Sequence, residues 1–267
     1  MRNAFEKIRP SCGAACLSEP LNLIAPGLKP SLDEPLKLHL GCGNHRLNGY
    51  VNCDLYQTTA TDRTFDCQER WPFADNCAST IYSAHHLEHL TDFKTFFREA
   101  HRVLRPDGNM QIRVPYGGHR AAYWDIEHVR PWYAETFCFL QPGYCQAVGN
   151  AQHHGWSHFF SIEDVVLRIT DKLTPVLQHR LIRRLLLPWI EHFHDTIEEM
   201  WVYLIPLKTE AQVAEWSQCH PGNCVPSRYS IYRHHLERRP LGAHEVAEFV
   251  DWRRDMAWNG FHSWWTK

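Results

Sequence analysis

Three short stretches of this chain carry residue types that can do chemistry. His85-His86-Leu87-Glu88-His89 sets imidazoles around a carboxylate, a combination that can hold a metal ion or move a proton near neutral pH. Gly41-Cys42-Gly43 sets two glycines one residue apart, so the backbone can turn sharply and come closer to a ligand than any side-chain-bearing residue could. Asp54 and Asp66 each follow a short apolar run and can accept hydrogen bonds from hydroxyl or amino groups of a ligand.

These residues need elements to position them. Leu36, Leu38 and Leu40 alternate, which predicts a strand that breaks at the Gly41 turn, and residues 50–53 predict a second that delivers Asp54. A dinucleotide site wants a third glycine, a full helix facing the pyrophosphate, and an acid about 20 residues on. Here Arg46 stands where that glycine would be, and Asp54 follows Gly41 by thirteen positions (54 − 41). That leaves room for one helical turn at most, a poor anion site. A nucleotide-like cofactor without phosphate fits better. The L-G-C-G-N of residues 40–44, followed by G-Y-V-N-x-D at 49–54, resembles the class I S-adenosylmethionine-dependent methyltransferases, in particular the methyltransferase type 11-like group.

The resemblance continues downstream. Residues 66–77 carry an acid, a few residues, and W-P-F-x-D-x-C; residues 83–90 read S-x-H-x-L-E-H-L; residues 102–108 read R-V-L-R-P-D-G. It implies S-adenosyl-L-methionine as cofactor, S-adenosyl-L-homocysteine as product, and a pocket of Gly41, Cys42, Gly43, Asp54, Asp66, Cys67 and Ser83. In it Asp54 faces the ribose, Asp66 receives the adenine amino group, and the Cys67 backbone N–H meets the ring. The family commonly has an acid just before the fourth strand; this chain has Ser79 there.

His85-x-x-Glu88-His89 is also the H-x-x-E-H pattern of zinc hydrolases, in which two histidines one helical turn apart hold the metal. That chemistry needs a long helix, whereas here the motif follows an apolar, β-branched strand at 79–83 and precedes an N-cap signal at Thr91. A strand-to-helix loop is expected. A subset of the resembling enzymes carries E-x-x-E-H at this place and binds a divalent metal; this chain has His85 for the first glutamate, and no metal is assigned.

Positions 93, 96, 97, 100, 103 and 104 are apolar, a helical stripe, and Met110, Ile112 and Val114 alternate as a further strand. Beyond Gly118 the chain is rich in His119, Arg120, Tyr123, Trp124, Asp125, Glu127, His128, Arg130, His153, His154, Trp156 and His158. These predict a substrate lid over 119–160, in which residues 125–130 resemble the family's D-P-x-H-x-R element. Ser161 with Glu163 and Asp164 predicts a helix through Thr170. Residues 179–190 predict a basic amphipathic helix packed on the core, 200–207 a last buried strand, and 210–216 and 243–258 two further helices.

The whole chain bounds the answer. It has 267 residues, formal net charge −2, and ten cysteines that sit mostly singly in strand-like runs. The charge disfavours nucleic acid as a partner, and the cysteines read as small buried hydrophobes rather than zinc ligands. No stretch has the eighteen or so apolar residues of a membrane span, so a cytoplasmic protein acting on a small molecule is expected. The reading is an α/β fold, a Rossmann-like methyltransferase sheet with helices on both faces. Its organisation is an irregular arm at 1–35, a methyltransferase domain at 36–207 and a helical extension at 208–267. The expected reaction is methyl transfer to a hydroxyl of a sugar or natural product, with His85, His89 and His128 as candidate bases and Glu88 orienting a neighbour. A catalytically inactive cofactor-binding protein of the same fold and a zinc hydrolase are the alternatives.

Overall fold

The computed structural model describes residues 35–147, 156–170, 173, 176, 179, 180–186 and 192–220. Residues 1–34 of the arm expected at 1–35, His153, His154 and the helix expected at 243–258 lie outside the described residues. Seven strands form one mixed sheet: β1 Leu36–Leu40, β2 Val51–Asp54, β3 Arg63–Thr64, β4 Ala78–Ala84, β5 Leu104–Pro115, β6 Phe160–Ile169 and β7 Ile197–Pro206. Their spatial order is β3-β2-β1-β4-β5-β7-β6. The first five run parallel, and β7 lies antiparallel between β5 and β6. The chain leaves β1 toward β2 and β3, then returns to the other side of β1 for β4. Such a reversal opens a crevice at the carboxyl ends of β1 and β4, where ligands of open α/β sheets bind.

Alternation decides which face is which. Leu38, Ile81, Met110 and Leu204 stand in register across four strands, and Leu40, Ser83, Ile112 and Val202 form the next row. Against that face lies α1, Phe93–Val103, which buries Phe96, Phe97, Ala100 and Val103, the stripe expected from its spacing. The opposite face is aromatic and polar: the His39 ring is 5.2 Å from Tyr82, and Arg113 lies 5.3 Å over Tyr82 and 4.1 Å over Trp201.

Asp92, not Thr91, caps α1. Its carboxylate accepts from the Thr95 N–H at 3.0 Å and the Thr95 hydroxyl at 2.6 Å, and a charged acceptor suits a helix N-terminus better than a hydroxyl does. Thr91 instead donates its N–H and hydroxyl to Gln68 Oε1. At the other end, Lys208 Nζ donates to the His101 and Arg102 carbonyls of the last turn.

The helix expected at 161–170 is strand β6. Val165, Val166, Leu167 and Ile169 are buried there, and nearly the whole segment is laddered to β7. A long antiparallel pairing with a β-branched run outweighs a local capping signal. The Ser161 hydroxyl, free of a capping role, bonds Glu163 and accepts from the Trp216 indole. Shorter helices are α2 Ala134–Cys138, α3 Tyr144–Ala147, α4 Arg180–Leu186 and α5 Glu210–Cys219. On α4, Leu186 packs on the core while Leu181 and Leu185 stay exposed. Cys42, Cys53, Cys67, Cys138 and Cys145 are free thiols in the interior, as a small-hydrophobe reading expects. Ser79, in place of the family's acid, donates to the Leu36 carbonyl at 3.1 Å and ties β4 to the start of β1. Among the described residues no helix is long and apolar enough to cross a membrane.

Buried neutral histidines make this core sensitive to acid. Burial lowers His39 to about 4, against a partial offset from its hydrogen bond to Asn52 at 3.0 Å. A depressed histidine stabilises the fold above its unfolded pKa of about 6.5, and that stability is lost as pH falls toward 4. Urea unfolding at pH 7 and pH 5 should differ by about 2 kcal/mol more in the native chain than in His39→Asn. An identical difference in both would contradict this account.

Candidate cofactor and active site

The ends of β3, β2, β1 and β4 lie side by side, so Asp66, Asp54, Gly41 to Gly43 and Ser83 converge on one rim. The two glycines do different work. Gly41 has φ +65°, and a Cβ there would sit 2.3 Å from the His86 ring, whereas Gly43 has φ +53° and open space above it. His86 therefore packs directly on the first glycine and leaves the second facing the crevice. Burial lowers His86 to about 4, so it is neutral, and its Nδ1 lies 3.2 Å from the Ser83 hydroxyl.

Asp54 holds the loop from the other side. One carboxylate oxygen accepts the Gly43 N–H at 2.7 Å and the other the Tyr56 N–H at 3.1 Å. A carboxylate has about four acceptor positions, so capacity remains for two ribose hydroxyls. Asp66 accepts the Gln68 N–H through Oδ1 at 2.8 Å, the turn-capping role open to any such aspartate, and this leaves Oδ2 for a ligand donor. Leu55 and Tyr56 stand exposed beside Asp54. Burial raises the Cys42 and Cys67 thiols, so both stay protonated and serve as packing.

Two supports went unread in the sequence. Asn52 is fully buried: its Oδ1 accepts the Leu47 N–H at 2.8 Å, while its Nδ2 reaches the Leu47 and Tyr50 carbonyls and Asp62. It closes the loop between Gly41 and β2 as a helix would otherwise have done. Glu99 on α1 accepts the Trp71 N–H at 2.9 Å and two Arg102 nitrogens, and Arg102 reaches back to the Trp71 and Phe73 carbonyls. This clamp fixes the Trp71-Pro72-Phe73 turn beyond Asp66. An i, i+3 Glu–Arg pair on the helix was the available signal.

The H-x-x-E-H motif lies on a single 3-10 turn, Leu87–His89, between β4 and α1. His85 has φ +49°, a conformation that costs a non-glycine residue of order 1 kcal/mol. Its Nε2 is 2.9 Å from Glu199 on β7 and its Nδ1 is 3.5 Å from Glu88. Desolvation would depress this imidazole, whose side chain is 38% exposed, but the Glu199 hydrogen bond and the charges of both glutamates raise it to about 10. His85 is therefore an imidazolium between two carboxylates at neutral pH, and the zinc-hydrolase geometry, two histidines on consecutive turns of a helix, is not formed. Glu199, which is also held by the Trp201 indole at 2.6 Å, carries no motif that reveals it.

Glu88, His89 and His128 do come together. Each offers one ligand atom, and the three atoms lie within 4.8 Å of one another. The two imidazole centroids are 4.8 Å apart. The Val129 N–H, bonded to the Glu88 carbonyl at 2.8 Å, ties the segment after β5 to this turn. Glu88 is 1% exposed, and neither of its carboxylate oxygens has a hydrogen-bond partner. One carboxylate and two imidazoles fit a divalent cation by donor type. Of the other residues expected in the lid, Arg120 is held by Asp195, Tyr133 donates to the Gly117 carbonyl at 2.9 Å, and Tyr123 and Trp124 are exposed. Trp156 and His158 pack toward α1 instead, near Phe97 and His101.

The contrast between the glycines is testable. Gly43→Ala meets no atom and should lower the unfolding midpoint only slightly, by the cost of a positive φ of about 1 kcal/mol. It should nevertheless weaken S-adenosylhomocysteine binding at least tenfold, roughly 1.4 kcal/mol. Gly41→Ala drives a methyl into His86 and should lose stability by a further 1–3 kcal/mol, roughly the cost of overpacking. Equal stability loss in both variants, with cofactor affinity intact in Gly43→Ala, would contradict the assignment.

Residues 38–112 match the family model described as a methyltransferase domain. No curated relative matches the chain. Among solved structures the chain is similar to a SAM-dependent methyltransferase from Archaeoglobus fulgidus, with 14% identity, a TM-score of 0.42, and coverage of 63% of this chain and 84% of that one. It is also similar to the YcgJ protein from Bacillus subtilis, with 13% identity, a TM-score of 0.38, and coverage of 64% and 92%. Third is a SAM-dependent methyltransferase from Aquifex aeolicus, with 13% identity, a TM-score of 0.36, and coverage of 64% and 81%. The family match covers β1 through most of β5, the segment that holds the glycine loop, Asp54, Asp66 and the Glu88 turn. Residues 38–112 are thus similar to a methyltransferase domain, and the sheet order around them places the crevice beside the glycine loop.

Proposed function

We propose that this enzyme transfers the S-adenosylmethionine methyl group to a hydroxyl of a small polar acceptor, a sugar or a natural-product scaffold. The observation that carries the reading is the joining of Glu88, His89 and His128, contributed by the turn after β4 and by the lid. Asp54 holds the ribose hydroxyls, Asp66 and the Cys67 N–H take the adenine edge, and Gly43 lets the cofactor lie close against the loop, with Ser83 at the rim.

Transfer is a displacement at the sulfonium methyl: the acceptor oxygen forms the new C–O bond as the S–CH₃ bond breaks, and S-adenosylhomocysteine leaves. The protein must hold the two in line about 3 Å apart and keep water out. His89 takes the hydroxyl proton, with His128 against it and Glu88 setting its orientation. His85 holds its proton too firmly to act as a base; it keeps Glu88 in place. A second reading has its own support in the Glu88 carboxylate, which has the His85 ion pair at 3.5 Å but no hydrogen-bond partner. Glu88, His89 and His128 would hold a divalent cation, which would make the bound hydroxyl more acidic.

The test is turnover across an acceptor panel with His89→Ala, before and after chelation. Rate loss of roughly 10² to 10⁴-fold with cofactor binding retained supports the base role. Unchanged turnover removes it. Loss on chelation, restored by a divalent metal, favours the cation, and absence of turnover with every acceptor would favour an inactive binding protein.

A further inference from the structure

Two residues beyond His128 the lid presents a cation without an anion. Arg130 is half-buried, its guanidinium 4.9 Å from the Phe93 ring centroid and 4.8 Å from that of Trp132. Among the described residues nothing accepts a hydrogen bond from it or pairs with its charge. The acids nearest in sequence are not its partners: Asp125 accepts the Glu127 N–H and lies 3.9 Å from His128 Nε2. A second donor is also unmet, since the Trp132 indole N–H belongs to a residue 2% exposed and has no acceptor.

Val129 is exposed and its N–H bonds Glu88, while Trp132 forms a parallel bridge with Tyr116. Arg130 lies over the Trp132 ring, so the guanidinium and the indole are neighbours. A guanidinium stacked on rings keeps its planar fork in a fixed orientation, and that fork matches carboxylate and phosphate oxygens. Partial burial has removed water from it without supplying a counter-charge.

We propose that Arg130, with the Trp132 indole, is an anion subsite of the acceptor pocket, so that the acceptor carries a carboxylate or phosphate group. This rests on reading the Glu88 turn and the lid as the acceptor site.

Inorganic phosphate and acetate, titrated separately into the full-length protein saturated with S-adenosylhomocysteine, test it by ¹⁵N NMR. The Arg130 Nε–H and Trp132 indole signals are assigned by their loss in Arg130→Lys and Trp132→Phe. At least one anion should move both signals along one saturable curve with a midpoint near or below about 10 mM, the range of a single weak contact. Acetate acting at lower concentration assigns a carboxylate, and phosphate a phosphoryl group. In Arg130→Lys the Trp132 response should be lost, with cofactor affinity unchanged. Two stationary signals under both anions, or a Trp132 shift that survives in Arg130→Lys, would overturn the proposal. The His89→Ala rate reports the transfer chemistry and does not move these signals, so failure of one reading is distinguishable from failure of the other.

Discussion

The cofactor crevice depends on how closely His86 approaches Gly41. No other residue at position 41 would admit that ring, since a Cβ would lie 2.3 Å from it. The contact locks the turn after β1 against the turn after β4, the two strands between which the chain reverses direction across the sheet. A neutral ring is required there, and burial supplies it. With the first glycine filled in this way, the second is left uncovered, and Asp54 can hold its N–H at 2.7 Å. Sheet order provides the crevice, and this one packing contact decides which part of the loop a ligand meets.

Charge is arranged with comparable economy around the turn that follows. Glu199, Glu88 and His85 come from β7, the 3-10 turn and the end of β4, and a single imidazolium between two carboxylates joins all three. An unpaired buried carboxylate would be expensive, so His85 is what allows Glu88 to remain beneath His89 and His128.

The parts readable in the sequence were those whose physics is local. Leu36, Leu38 and Leu40 alternate because one face of β1 is core, and the α1 stripe follows its buried side; Gly41, Gly43 and Asp54 signal a tight turn feeding an acid. What escaped depends on tertiary neighbours. Ser161 looked like a cap until its segment was paired with β7. The contact of His85 with Glu199, more than a hundred residues away, leaves no sign of itself in the motif. Asn52 and Glu99 stood within recognisable motifs, yet their work, closing a helix-free loop and clamping a turn, is visible only in three dimensions. The pairing of His128 with Glu88 likewise required the lid to fold back on the turn.

Calorimetric titration of the full-length protein with S-adenosylhomocysteine, repeated with Asp54→Ala, tests the central claim most directly. A site at the ends of β1, β2 and β4 predicts micromolar binding, about −8 kcal/mol, that Asp54→Ala weakens at least tenfold without unfolding the protein. Binding of equal strength in the variant, or no binding to either protein, would contradict it.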